Sequence, residues 1–564
     1  MSAVDAMWLI VAAALVFFMQ AGFAMVESGF TRAKNAGNIV MKNTLDFVFA
    51  CIVYVAVGYS LAYGCDVMGI VGAPTLFLSG FEGEFSSVIF QLAFAGATAT
   101  IVSGAMAERT KFLSYMVYCI VICSVVYPIA THWVWSADGW LCAMGYIDFA
   151  GSSVVHMLGG VAALTGAFFL GPRIGKYDKD GNPRAIPGHN LTLAALGVFI
   201  LWFGWFGFNG GSTLAISGYD GAATGNMVSE VLLVTCISGS AGALGAMIYS
   251  CLKYRRPDVS YTLNGVLAGL VGCCAGAAVV DFYGAIIIGL ICGVMVVVGS
   301  DFVEKRLKID DPVGAFAVHG ISGIIGTLMV AFLMAPGKAS VAGILYGGGV
   351  DAVNQLGIQA LGVISIFAWG VVLMSATFYA IKHTIGLRAT AEEEISGLDL
   401  TEHGLTNAYA GMMPDLHKVS VMDAVRQPMA DCESPGIPVF DYSAPDASVK
   451  KIVVVTRREM IGNMKSAMDS VGVSGMTVSY VEGYGSQKGH TSMYRGIELD
   501  STLLPKLKAE VVVAGADAAK VIEAIKTAVY TGAVGDGKIF IYEVENVFRI
   551  RTGESGIAAV SKSA

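Results

Sequence analysis

Apolar positions come in long unbroken runs as far as about residue 385, and in short interrupted ones after that. A membrane-spanning helix needs about 20 apolar residues. Eleven runs predict such helices, at 5–28, 39–64, 85–107, 112–131, 153–171, 190–209, 222–251, 258–279, 282–303, 317–335 and 355–384. The first, in MSAVDAMWLIVAAALVFFMQ, has no basic leader and reads as a span, not a cleaved signal. From Lys450 the pattern shortens. KKIVVVT, MTVSYVEGYG, KLKAEVVVAG and KIFIYEVENV read as strands, with helices at RREMIGNMKSAMDSVGV and DAAKVIEAIKTAVYT. That βαββαβ order predicts an α+β ferredoxin-like domain. The stretch 412–449, dotted with Pro and Asp, reads as a linker.

Charge tests the span count, because loops on the cytoplasmic side collect Lys and Arg. Odd-numbered spans are followed by basic loops: Arg32, Lys34 and Lys42; Arg109 and Lys111; Arg173, Lys176, Lys179 and Arg184; Lys253, Arg255 and Arg256; Lys305, Arg306 and Lys308; Lys382 and Arg388. The other loops carry Asp66, Glu82, Glu84, Asp138, Asp148, Asp220 and Asp281, with Lys338 the one basic exception. The alternation predicts an outside N-terminus and a cytoplasmic C-terminal third in a multi-pass protein surrounded by lipid; the expected membrane is that of a prokaryotic cell. The chain is 55% hydrophobic and only 14% charged, well below the quarter typical of soluble chains. A net charge of -8 gives no reason to expect nucleic acid as a partner. Most of the eleven cysteines sit in apolar runs and suggest no metal spacing.

Ionisable residues inside spans are costly and functional by default. His156 in SSVVHMLGG and His319 in AFAVHGISG each lie eight residues after an aspartate, Asp148 and Asp311. One isolated buried histidine is ordinary packing, but two matched ones are not. They fall in the fifth and tenth spans, which run in opposite directions. That is the trace of inverted five-helix repeats, with the site between the halves. Phe90 and Phe94 share a helix face. Trp135 closes an outer loop, and LWFGWFGFNGGS sets Trp205, Phe208 and Ser212 at the outer end of the sixth span. Aromatic faces can hold a cation. The predicted fold is an all-α polytopic membrane domain of eleven spanning helices (1–387), a cytoplasmic tail (388–411), the linker (412–449) and the ferredoxin-like domain (450–564).

FQLAFAGATATIVSGAMAER, DFAGSSVVH, GWFGFNGGS, DDPVGAFAVHG and GLDLTEHG resemble, in order over about residues 4–411, the signatures of the ammonium transporter (Amt/Mep/Rh) family. The resemblance implies a homotrimer with one pore per subunit. It implies that Phe94, Trp135 and Ser212, with Phe90 and Trp205 nearby, recruit ammonium, that Phe94 and Phe208 gate, and that His156 and His319 line the pore. Asp148, with Asp311 as its counterpart, would be structural. The physics agrees: burying the ion is heavily penalised, so an apolar pore favours neutral ammonia.

GYGSQKGH, TGAVGDGK and the closing RIRTG carry a second resemblance, across residues 450–560, to the PII signal-transduction family. Glycine-rich loops present backbone N–H groups to phosphate. The resemblance implies trimeric binding of ATP or ADP, with 2-oxoglutarate beside Mg-ATP. Gly485, Gln487, Lys488, Gly535, Asp536, Gly537, Lys538, Arg549 and Arg551 match the nucleotide site. Gln487, Lys488 and Lys506 match the 2-oxoglutarate site, and Gln487 is the residue that would approach Mg2+. Arg495, on an effector arm from Ser486 to about Leu503, matches the residue that plugs the transporter pore. The arm has Leu499 where many members carry a modifiable tyrosine, so uridylylation is not expected, and Ser486 where many have a phosphate-contacting arginine. No nucleophile with a base suggests an enzyme. The expected function is ammonium transport gated in cis by a nucleotide-responsive domain; the alternative is an ammonium sensor that conducts little.

Overall fold

The structure, a computed structural model, describes residues 1–219, 223–405, 408–409, 449–457, 460–473, 475–483, 491–494, 497–500, 504–531 and 536–560. They divide into two compact units, a helical one and an α+β one. The predicted linker lies outside the described residues except for Val449.

Among the described residues of the helical unit, ten helices are long and apolar enough to cross a membrane: Ala3–Phe30, Ala33–Tyr63, Phe85–Met106, Phe112–Ala143, Ser152–Leu170, Leu191–Gly211, Gly225–Tyr254, Phe282–Arg306, Phe316–Leu333 and Gly349–Thr384. The run expected at 258–279 is a shorter helix, Val259–Cys273. At 1.5 Å per residue it extends only about 22 Å. Most of its residues are buried, and a helix walled in by protein does not need a lipid-length apolar stretch. The expected count of eleven is reached only by including it.

Small residues set the packing. Ala3–Phe30 and Leu191–Gly211 lie so close that a Cβ on Gly197 would come within 2.5 Å of the Val26 nitrogen, and one on Gly207 within 2.5 Å of the Ala12 carbonyl. The fifth and ninth of these long helices cross at Gly160 and Gly320, where a Cβ on Gly160 would meet the Gly320 nitrogen at 2.3 Å. Close backbone approach of this kind is how helices associate without a hydrophobic driving force between them. Here it also sets the distance between the two histidines.

The α+β unit has a four-stranded antiparallel sheet in the order Thr477–Gly483, Leu504–Ala514, Val449–Arg457, Lys538–Val544. Alternate residues Ile452 and Val454, with Leu507, Ala509 and Val511, bury one face, as the period of two requires. Met464 and Met468 of helix Ile461–Ser470 and Val521 and Ile525 of helix Gly515–Val529 cover it. This is the predicted ferredoxin-like arrangement. Two further short strands, Thr491–Tyr494 and Ile497–Asp500, pair with each other inside the effector arm.

Candidate functional site

Four rings form a column through the helical unit. Phe94 and Phe208 stack with centroids 4.0 Å apart. Phe208 stacks on His156 at 5.1 Å, and His156 on His319 at 5.3 Å. The two imidazoles approach through Nδ1 atoms 3.3 Å apart. All four residues are buried, and His156 Nε2 is buried with no hydrogen-bond partner among the described residues. An orphaned buried ring nitrogen is a place where a small polar ligand can bind. Above the column, Trp135 meets Phe94 edge-on at 5.9 Å and is fixed by its Nε1 donating to the Asp148 carbonyl at 2.7 Å. The Ser212 hydroxyl donates to the Phe208 carbonyl at 2.8 Å, which leaves its oxygen lone pairs free to accept. Phe90 is buried behind Phe94, 4.8 Å away. Trp205 lies deeper than the recruiting position suggested by its sequence neighbours. It stacks on His156 at 5.3 Å and donates to Cys274 Sγ at 3.2 Å.

Each histidine follows a capped turn. Asp148 Oδ1 accepts from the Gly151 N–H, and its Oδ2 accepts from the Ser153 and Val154 N–H groups and the Ser153 hydroxyl. Asp311 Oδ1 accepts from the Gly314 and Ala315 N–H groups, and its Oδ2 from Phe316. Gly151 and Gly314 both have positive φ, 99° and 80°, a backbone that favours glycine. A π-helical turn follows each cap, at Ser152–Met157 and Phe316–Ile321, and each contains its histidine, turned inward toward the other. The two motifs are therefore one local structure used twice. Burial pushes the Asp148 carboxyl up, against the donors that stabilise its charge.

Beyond His319 a cavity is lined by Phe23, Glu27, Ile101, Asn264, Leu267 and His319, among others. Glu27 escaped the sequence reading. The signal was there, an acidic residue inside the first apolar run. Around the same end of the helices lies a buried ion network. Arg173 donates to Glu108 at 2.7 Å and to Asp310 at 2.8 Å, and Arg32 pairs with Glu108. The tail folds across this end in two short helices, Ala391–Ser396 and Leu398–His403. Its Asp399 accepts from the Gly37 and Asn38 N–H groups at 3.0 and 2.7 Å. Its Glu402 accepts from the Phe112 N–H and the Asn38 side chain.

In the α+β unit Gly485, Gln487, Lys488, Arg495 and Gly535 lie outside the described residues. Lys506 pairs with Arg457 and Lys538 with Val455, so three cations gather toward one end of the sheet. Gly537 has φ 107°, and a Cβ there would meet the Val455 carbonyl at 1.9 Å. Asp536 is held by Arg457 at 3.4 Å and accepts from the Thr531 N–H at 2.8 Å. Arg549 is tied to Glu554 at 2.6 Å and to the Ala559 carbonyl, and Arg551 is exposed. A glycine turn with no room for a side chain, next to gathered cations, fits a polyphosphate.

Comparison with known proteins agrees with both halves. The Ammonium Transporter Family profile matches residues 7–408, and the Nitrogen regulatory protein P-II profile matches residues 449–554. Ammonium transporter Amt2 of Archaeoglobus fulgidus is 45% identical over 420 residues, 71% of this chain and 87% of the relative. Ammonium transporter Amt1 of Haloferax mediterranei is 39% identical over 426 residues, covering 72% and 79%. A solved structure described as a sensor Amt protein superposes with TM-score 0.66 at 39% identity, over 71% of this chain and 98% of that one. Saccharomyces cerevisiae Mep2 superposes with TM-score 0.62 at 27% identity, over 70% and 88%. The chain is a member of the ammonium transporter family that carries a nitrogen regulatory P-II domain after its membrane part.

Proposed function

We propose that ammonium is recruited at Phe94, Trp135 and Ser212, gives its proton to the imidazole pair, which relays it inward, and crosses as ammonia along His156 and His319. The observation that carries this reading is the buried contact between the two imidazoles beneath the Phe94–Phe208 stack. The aromatic faces offset part of the ion's dehydration cost. The stacked phenylalanines exclude a hydrated ion, and the imidazole nitrogens offer hydrogen bonds or a proton path where the lining is otherwise apolar. Orientation follows the basic loops, with the N-terminus outside and the tail and P-II domain in the cytoplasm. The assembly is a homotrimer.

The P-II domain gates the pore in cis, in response to ATP or ADP and to 2-oxoglutarate. Lys506, Lys538, Arg549 and Arg551 would hold phosphate and carboxylate groups, and Mg2+ would come with ATP through Gln487. A linker of about 38 residues reaches on the order of 35 Å, enough for the arm with Arg495 to meet its own channel or a neighbouring trimer. Matched threefold symmetry favours such docking.

A sensor with little conduction is the second reading. It is favoured by the 39% identity to a structure described as a sensor Amt protein. Currents from purified protein on a supported membrane, after an ammonium pulse and with ADP, ATP and 2-oxoglutarate in turn, separate the two. Current that changes with the ligands supports gated transport. Silence under every ligand, with nucleotide binding altered by ammonium, supports the sensor.

A further inference from the structure

Among the described residues, Glu27 is the one carboxylate lining the cavity beyond His319. Its position is fixed from one side. Oε2 accepts from Asn43 Nδ2 at 2.9 Å and from the Ser103 hydroxyl at 2.7 Å, which leaves Oε1 to the cavity. The other charged groups near it on the second span are engaged elsewhere. Lys42 donates to the Thr110 carbonyl at 2.7 Å, and Asp46 accepts from the Tyr115 hydroxyl and Cys119. The cavity also carries the Asn264 amide and the His319 ring among apolar walls of Phe23, Ile101 and Leu267. A fixed carboxylate with one open oxygen, in a small, mostly apolar-walled cavity at the end of the ring column, suits a small cation with directional N–H donors.

We propose that Glu27 makes this cavity an inner binding subsite for ammonium and small alkylammonium ions. The inference rests on the conduction reading above. Ammonia passing His319 takes a proton here from the imidazole pair, which is left neutral, and the ion is held by Glu27 Oε1 before release. The same site loads ammonium when the gradient is reversed. Asn43 and Ser103 are positioning residues that keep the carboxylate from swinging into a salt bridge with Lys42.

The test is ammonium current in proteoliposomes of the full chain, with the ion presented at the face that carries the tail. Glu27→Gln keeps the shape and removes the charge. The half-saturating ammonium concentration at that face should rise about tenfold, which corresponds to about 1.4 kcal/mol. An unchanged value overturns the subsite. If Glu27→Gln does not yield monodisperse protein, Glu27→Asp withdraws the charge by one methylene, and the same concentration must rise severalfold or the subsite fails. A parent chain without current overturns the conduction reading instead. The subsite is then judged by melting temperature in ammonium chloride against sodium chloride: ammonium-specific stabilisation lost in Glu27→Gln supports it, and stabilisation equal in both proteins removes it.

Discussion

His156 and His319 meet Nδ1 to Nδ1 at 3.3 Å, from helices that reach this point from opposite repeats. Only one of the two nitrogens can carry the hydrogen of that contact, because a neutral imidazole has one donor and one acceptor. The other ring then carries its hydrogen on Nε2. The pair is therefore chemically asymmetric although the fold around it is repeated: one outer nitrogen accepts and the other donates. Each ring depends on the other for its tautomer. His156→Ala and His319→Ala should each cut ammonium current at least tenfold with folding unchanged, and the double variant should lose little more than either single one. Additive losses, measured on a supported membrane, would show that the rings act independently.

The twin caps should be needed for structure more than for conduction. Asp148 satisfies three backbone N–H groups and a hydroxyl, so an amide in its place would set an NH2 against donors. Leaving buried donors unmatched costs about 1–3 kcal/mol each. Asp148→Asn and Asp311→Asn should lower the melting temperature of the detergent-solubilised protein by several degrees, with Asp148→Asn the worse because its surroundings are more buried. Variants that melt like the parent and yet lose current would assign these carboxylates to the ion path.

Much of the ring column was legible because its residues are anomalous where they stand. A histidine in an apolar run, eight residues after an aspartate, is visible without coordinates, and its recurrence shows the repeat. Trp205 was harder. Belt, mouth and pore-wall tryptophans look alike in sequence, and its depth depends on how closely its own helix packs on Ala3–Phe30 at Gly197 and Gly207. Glu27 was readable as a charge in a span, but its anchors Asn43 and Ser103 lie 16 and 76 residues away. The short helix Val259–Cys273 shows the limit of run length: the apolar residues continue to about 279, while the helix stops at Cys273.

The network at Arg173 should make stability fall in acid. Burial alone would raise the carboxyls of Asp310 and Glu108. Arg173 outweighs it at both, helped by Arg109 at Asp310 and by Arg32 at Glu108, and holds them below their usual range. A carboxyl whose folded value lies below its unfolded value of about 4 contributes stability above that pH and loses it as pH falls through the folded value. Melting temperature should therefore drop as pH is lowered below about 4.5. Arg173→Ala should cost about 3–5 kcal/mol at neutral pH by removing the side-chain partner of Asp310 and one of the two partners of Glu108, and acid should then harm it less than it harms the parent. Parallel curves of melting temperature against pH would sink this account.

Gly537 gives the P-II unit a narrow tolerance. Alanine there needs a disfavoured φ and places a Cβ 1.9 Å from the Val455 carbonyl, on the central strand. The strand start at Lys538 would have to shift. Gly537→Ala should weaken ATP and ADP binding to the full chain at least tenfold by calorimetry, with ammonium current in the absence of nucleotide unchanged. Full nucleotide affinity in this variant would place the phosphate site away from this turn.

The tail is attached at many points, through Arg388, Glu394, Leu398, Asp399 and Glu402 among others, and Asp399 is the most informative of them. Its two oxygens cap the start of helix Ala36–Val53 from more than 350 residues away in sequence, in the way an N-cap side chain normally does from within its own helix. Removing such a cap costs about 1 kcal/mol, within a range of about 0.5–2. The loss should fall on the tail, since the capped helix is packed in the bundle. Asp399→Ala should speed amide exchange in residues 391–403 roughly fivefold, the factor that about 1 kcal/mol represents, while exchange within Ala36–Val53 changes only in its first turn. The reverse pattern, with a protected tail and a frayed helix, would mean that the tail is held by Glu394 and Glu402, and that Asp399 serves the helix.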